Sequence, residues 1–264
     1  MQKIKVVLNY QGTRDLTELK IFSRGLNRQV IKWLNSGDPE LVKEIKSQEN
    51  MKPFTISHLS KDKKFYSFII TLLNKNLEKV ITQGMEKSES EDIDLNYEKF
   101  ELLGYEKVLS TTSEDLKKLS EDHSLSSEFE IEFISETCFS QKNSEGKRIN
   151  TVYSEPDITK IFDSILAKWN LFMEDNISKD FFAEIIPNCL EIVKSSVNSN
   201  NIVLGYDNKN KMGIEGFRGV VKFKFLTKNL EKRRFIALLA SYSEWCGVGK
   251  KTAFGMGQTK VRFL

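Results

Sequence analysis

Twice along the 264 residues, apolar residues spaced two apart give way to apolar residues spaced three and four apart and then return, in the order strand, helix, strand, strand, helix, strand. That order restricts the fold tightly, because each copy can lay two helices on one face of an antiparallel sheet and bury a single core between them. In the first copy Lys3 to Tyr10 alternates as a strand. Phe22 to Asn35 is a helix with Leu26, Val30, Trp33 and Leu34 on one face and Arg24, Arg28 and Lys32 on another. Asp38 caps a short helix over Pro39 to Lys46, which ends before Lys52-Pro53. Phe54 to Leu59 and Lys64 to Leu72 read as strands, Asn74 to Gly84 as a helix with an Asn cap and a Gly stop, and Tyr97 to Leu109 as the closing strand.

Within the first copy, before its closing strand, Lys87 to Asp94 is acidic and reads as an exposed loop; after that strand Thr112 and Ser113 cap a short acidic helix. The second copy opens at Glu128 to Ser135, with Phe129, Ile131 and Phe133 on one face. A polar connection over Gln141 to Asn150 leads to a helix opened by Pro156 and carrying Ile161, Phe162, Ile165, Leu166, Trp169 and Phe172. That aromatic stripe belongs to a core rather than to a ligand-stacking platform. A helix over Lys179 to Ile186 stops at Pro187, and strands follow at Leu190 to Val197 and Ile202 to Tyr206. A turn over Asn208 to Met212 leads into a strand from Gly216 to Leu226, then a helix from Leu230 to Trp245, then a strand over Thr259 to Phe263. The expected fold class is α+β: tandem ferredoxin-like (RRM-like) domains at 1–125 and 126–264, with a C-terminal glycine-rich loop.

Apolar residues make up 39% of the chain, enough to fill two such cores. Cys138, Cys189 and Cys246 form no Cys-x-x-Cys pair, which argues against a structural zinc site and for a reduced compartment. The N-terminus is too charged for a signal peptide, and the longest apolar run, Phe235 to Ala240, falls far short of the ~20 residues of a membrane helix. These features describe a cytoplasmic protein without membrane contact. Charge is unevenly placed: from Lys211 to Leu264 twelve Lys or Arg oppose three Glu, a net of +9 on a chain whose total is +3. A localised basic end fits a polyanionic partner.

Within that end lies the run Cys246-Gly-Val-Gly-Lys-Lys-Thr-Ala-Phe-Gly-Met-Gly257. Gly247, Gly249, Gly255 and Gly257 bracket Lys250, Lys251 and Thr252, so that backbone amides could approach a phosphate closely and the lysines could attract it. The spacing is not that of a P-loop, and the run follows a helix instead of a strand. A turn that serves only tight packing is the alternative. Upstream, Arg218, Lys222 and Lys224 would make one face of a strand basic, while Val220, Val221, Phe223 and Phe225 include its buried face.

The wider run from Leu239 to Gln258 resembles the signature of the repeat-cleaving CRISPR-associated endoribonucleases of the RAMP superfamily. So do Asp38-Pro-Glu-Leu with Lys52-Pro-Phe-Thr-Ile-Ser57, the stretch Phe162 to Phe172, and Gly216-Phe-Arg-Gly219, in that family's order. The resemblance implies tandem ferredoxin-like domains and binding of CRISPR repeat RNA, as precursor and as mature guide. It also implies metal-free cleavage in which a ribose 2′-OH attacks its own 3′ phosphate and expels the 5′ oxygen. Neither a cofactor nor a metal is expected. Homodimerisation and association with other CRISPR effector subunits stay open.

Many relatives carry a histidine before the Lys-Pro-Phe-Thr motif, where this chain has Lys46; a tyrosine of some relatives corresponds to Ile31. One reading gives the chemistry to Lys46 and Lys52 with Arg28, lysines that would need a depressed pKa to act as bases. A second brings in His58, which otherwise reads as an exposed loop residue beside Lys61, Lys63 and Lys64. A third leaves an RNA-binding subunit without catalysis. Arg24 joins the RNA-binding set, with an ordinary solvated helix face as its alternative, and His123 reads as a surface residue.

Overall fold

The computed structural model describes residues 1–47, 51–88, 91–142, 148–151, 156–207 and 210–264, the side chains of 46–47, 140–142, 148–151, 206–207 and 210–212 excepted. The chain forms two compact units. One comprises Met1–Ser110, Ile202–Ile214 and Ala253–Gly255; the other comprises Thr111–Asn201, Glu215–Thr252 and Met256–Leu264.

The first unit runs β1 (Gln2–Tyr10), α1 (Ser23–Gly37), α2 (Pro39–Ser47), β2 (Phe54–Ile56), β3 (Ser60–Asp62), β4 (Phe65–Leu72), α3 (Asn76–Lys87), β5 (Ile93–Leu95) and β6 (Glu98–Ser110). Its antiparallel sheet has the order β2-β4-β1-β6-β5, with β3 alongside β4. The strands β2-β4-β1-β6 are the ferredoxin-like set. Period-two alternation turns Ile4, Val6 and Leu8 of β1 inward, where Phe68, Ile70 and Leu72 of β4 join them. Leu26, Val30, Trp33 and Leu34 of α1 and Leu77, Ile81 and Met85 of α3 close the core, with the Trp33 and Phe68 rings stacked 6.4 Å apart. Asp38 caps α2 as expected, its Oδ1 accepting from the N–H groups of Glu40 (3.0 Å) and Leu41 (3.1 Å).

The second unit holds α4 (Ser113–His123), β7 (Glu128–Thr137), β8 (Phe139–Lys142), β9 (Arg148–Thr151), α5 (Ile158–Phe172), α6 (Lys179–Cys189), β10 (Leu190–Asp207) as far as Asn201, β11 (Asn210–Phe225) from Glu215 onward, α7 (Leu230–Cys246) and β12 (Thr259–Phe263). Its sheet order, β10-β11-β7-β12, repeats the ferredoxin-like arrangement, and β8 and β9 pair separately. Phe129 stacks on Phe223 (5.0 Å) and Phe263 (5.2 Å), tying the central strand to both neighbours. Thr112 and Asp115 form a reciprocal capping box on α4. No helix among the described residues is long and apolar enough to cross a membrane.

Several local expectations give way to tertiary context. The stretch Lys87 to Asp94 is not wholly a loop, because Ile93 pairs with Phe100 and is buried with Leu95 as the edge strand β5. Gly84 does not stop α3, which runs on to Lys87. A Cβ there would collide with the Trp33 carbonyl oxygen and lie 2.6 Å from its carbon, so this glycine lets α3 lie against α1. Pro187 sits inside the last turn of α6, where its missing N–H costs a single hydrogen bond. Leu190 to Asp207 is one continuous strand, its polar middle held by pairing with β11 and not by intrinsic preference. The turn expected at Asn208 lies partly outside the described residues, as does much of Gln141 to Asn150.

Candidate functional site

In the first unit the site is built where β2 ends and α1 begins. Ser57 extends the β2–β4 ladder by one residue: its N–H donates to the Ile69 carbonyl and its Oγ accepts from the Ile69 N–H, both at 2.8 Å. The next residue, His58, thereby meets the first residue of α1, and its Nδ1 lies 2.7 Å from the Oγ of fully buried Ser23. The segment Ala253–Gly255 of the glycine-rich run belongs to this unit. Asn27, one turn beyond Ser23, donates from Nδ2 to the Ala253 carbonyl at 2.9 Å. A Cβ on Gly255 would stand 2.5 Å from His58 Nδ1, and φ is +84° there, so only glycine fits over the ring. His58 is therefore half-buried and engaged, not the exposed loop residue of the blander reading, and its Nε2 is buried.

The other expected residues of this unit are less gathered. Lys52 is half-buried and donates from Nζ to the Ile45 carbonyl at 2.7 Å, placing its ammonium at the C-terminal end of α2. Lys46 lies in the last turn of α2, but its side chain falls outside the described residues. On α1, Arg24 is half-buried and Arg28 exposed, whereas Lys32 is paired with Glu91 at 2.6 Å. Ile31 packs against the core.

The glycine-rich run of the second unit is held from within. Positive φ values at Gly247, Gly249, Lys251 and Gly257 fold it back on itself. The N–H groups of Gly247, Val248, Gly249, Lys250, Met256 and Gly257 donate, respectively, to Ser243 O, Gly257 O, Ser164 Oγ, Cys138 O, Lys251 O and Glu136 O. The expected amide cradle is corrected to that extent: these six amides are spent inside the protein, and the side chains of Lys250, Lys251 and Thr252 are half-exposed. The basic strand is tempered in the same way. Lys222 pairs with Glu128 at 2.6 Å and Lys224 with Glu191 at 3.9 Å, while Arg218 is exposed. Lys232 and Arg262 also pair with acids, Glu184 and Glu130, that lie outside the basic tail. His123 is not a plain surface residue, for its ring stacks on Phe263 at 3.9 Å, its Nδ1 lies 3.1 Å from Ser241 Oγ, and burial lowers its pKa.

Sequence reasoning missed Lys168. This α5 residue is buried and donates from Nζ to the carbonyls of Gly247 (2.8 Å) and Gly249 (3.1 Å). Its position was the available signal, since it continues the stripe of Ile161 and Ile165, where an apolar residue belongs. Burial lowers its pKa to about 8, and the same enclosure pushes the Cys246 thiol up to about 12. An unfolded lysine keeps its proton to about pH 10.4. Across the interval between, the unfolded chain binds the extra proton, so this residue's contribution to stability rises with pH. Urea denaturation at about pH 7.5 and about pH 10 should therefore find wild type gaining on Lys168→Met at the higher pH. A difference unchanged with pH would mean that Lys168 titrates alike folded and unfolded.

Two ferredoxin-like units in tandem, with a glycine-rich run between the last helix and last strand, define a protein of tandem ferredoxin-like architecture. Residues 131–259 match the family model of CRISPR-associated endoribonuclease Cas6, so the resemblance carried by Leu239 to Gln258 lies within a longer stretch similar to that family. A comparison with curated protein sequences found no match. Among solved structures, a Cas6 product complex is 19% identical, with a TM-score of 0.79 and 99% of each chain covered. Thermus thermophilus Cas6 is 18% identical with a TM-score of 0.67, covering 99% of this chain and 98% of that one. The product of a Cas6-related gene from Pyrococcus furiosus is 16% identical with a TM-score of 0.66 over the same shares. At these identities the likeness is one of fold.

Proposed function

We propose that this protein binds CRISPR repeat RNA and cuts it once without a metal, turning precursor transcripts into guide RNAs. The observation that supports this reading best is where the family-matching run lies. Its residues Ala253–Gly255 group with the first ferredoxin-like unit, on the helix that carries Arg24 and Arg28 and against His58. In the cut, the 2′ oxygen bonds to phosphorus as its proton leaves, the bond from phosphorus to O5′ breaks, and O5′ takes a proton. The products are a 2′,3′-cyclic phosphate and a 5′-OH. Lys52, with Arg28, supplies positive charge to the crowded phosphorus, and Lys46 is its partner in proton transfer. His58, with Nδ1 on Ser23 and Nε2 buried, positions the 253–255 segment. Arg218, Lys250, Lys251 and Thr252 meet phosphates of the stem, where A-form geometry hides the bases.

The engaged ring of His58 also favours a second reading, a non-catalytic RNA-binding subunit of a CRISPR effector. One experiment separates the two. Labelled repeat RNA from the protein's own locus is incubated with the full chain in excess EDTA, alongside RNA with a 2′-deoxy sugar at the cut. A single cut that survives EDTA and disappears with the 2′-deoxy sugar is the expected result. Tight binding without a cut would replace the enzyme by the binding subunit.

A further inference from the structure

The α5 helix grips the glycine-rich run at two points one turn apart. Ser164 Oγ accepts the Gly249 N–H at 3.0 Å, and Lys168 Nζ takes the carbonyls of Gly247 and Gly249. Between those carbonyls Val248 is fully buried, and immediately after them come Lys250 and Lys251 with half-exposed side chains. The partners of the Lys168 ammonium are thus neutral carbonyls. Enclosing a charge that way is costlier than enclosing an apolar side chain of equal volume, so stability alone does not account for a lysine here. What the ammonium does supply is direction: it turns the carbonyls of Gly247 and Gly249, two residues apart, inward across a backbone whose glycines, with φ of +65° and +75°, would otherwise have many conformations to choose from.

We propose that Lys168 is a positioning residue for RNA binding: by holding the carbonyls of Gly247 and Gly249 against α5, it fixes the run in the conformation that presents Lys250 and Lys251 to phosphate. The inference rests on the RNA-binding reading above. Lys168 itself touches no RNA and acts only through the two lysines that follow.

A double-mutant cycle on the full chain tests this, with the labelled repeat stem-loop as probe. Lys168→Met is expected to weaken binding by about tenfold, the size of losing phosphate contacts at moderate salt, and to flatten the salt dependence. Lys168→Gln, which keeps a donor for one carbonyl, should lose less and serves in its place if the methionine variant does not fold. In a background already carrying Lys250→Ala and Lys251→Ala, the same replacement of Lys168 should cost almost nothing. An equal loss in both backgrounds would overturn the proposal, because a general structural defect does not depend on the loop lysines. Wild-type affinity in Lys168→Met would overturn it too. If the wild type binds no repeat RNA, the functional reading itself falls, an outcome distinct from either of these.

Discussion

Replacing Lys52 with alanine is expected to lower the single-turnover rate of repeat-RNA cleavage by about 100-fold while changing affinity by no more than about threefold. The asymmetry follows from what the side chain is placed to do. Its ammonium stands at the carbonyl end of α2, held by Ile45 at 2.7 Å; in the proposed cut, a fixed cation counts most when the phosphorus carries five oxygens. Removing it also deprives the helix end of one hydrogen bond, at a cost of about 1 kcal/mol, too little to unfold the unit. Rates measured at saturating enzyme read the chemistry, and a titration with the 2′-deoxy RNA reads binding. Equal losses in both would make Lys52 a binding residue and leave the cut to other groups.

Gly84→Ala should cost about 3 kcal/mol, the upper end for forcing extra volume into a packed contact. The added methyl would point into the Trp33 carbonyl group of α1, and backbone cannot swing aside as a flexible side chain can. Separating the two helices would disturb Trp33 and Phe68, both fully buried. Urea denaturation should show a lower midpoint with an unchanged slope. A loss under about 0.5 kcal/mol would mean that α1 and α3 can slide apart freely, contrary to the density of protein interiors.

Much of the fold was legible in advance because its signals are local. Alternation in Ile4, Val6 and Leu8, or in Phe129, Ile131 and Phe133, states which side of a strand is buried, and all six are buried. The capping residues Asp38 and Thr112 announced their helices for the same reason. Where a segment's fate depends on a distant partner, local reading failed. The edge strand Ile93–Leu95 looked like an acidic loop until it paired with β6, and the Ser- and Asn-rich middle of β10 looked like a break until β11 lay beside it.

The candidate site divides along the same line. The glycine-rich run, its lysines and its likeness to a family of RNA-cutting proteins could all be read from the order of residues, because a motif is a matter of spacing. Tertiary structure alone decided how those residues are employed. It joined His58 to Ser23, 35 positions away, and drew Lys168 to carbonyls 79 and 81 positions along the chain. It also set Glu128 against Lys222, which had looked like a cation waiting for RNA. Side-chain periodicity determines which residues are buried; strand register and helix packing determine whom they meet, and hydrogen bonds and ion pairs depend on the meeting.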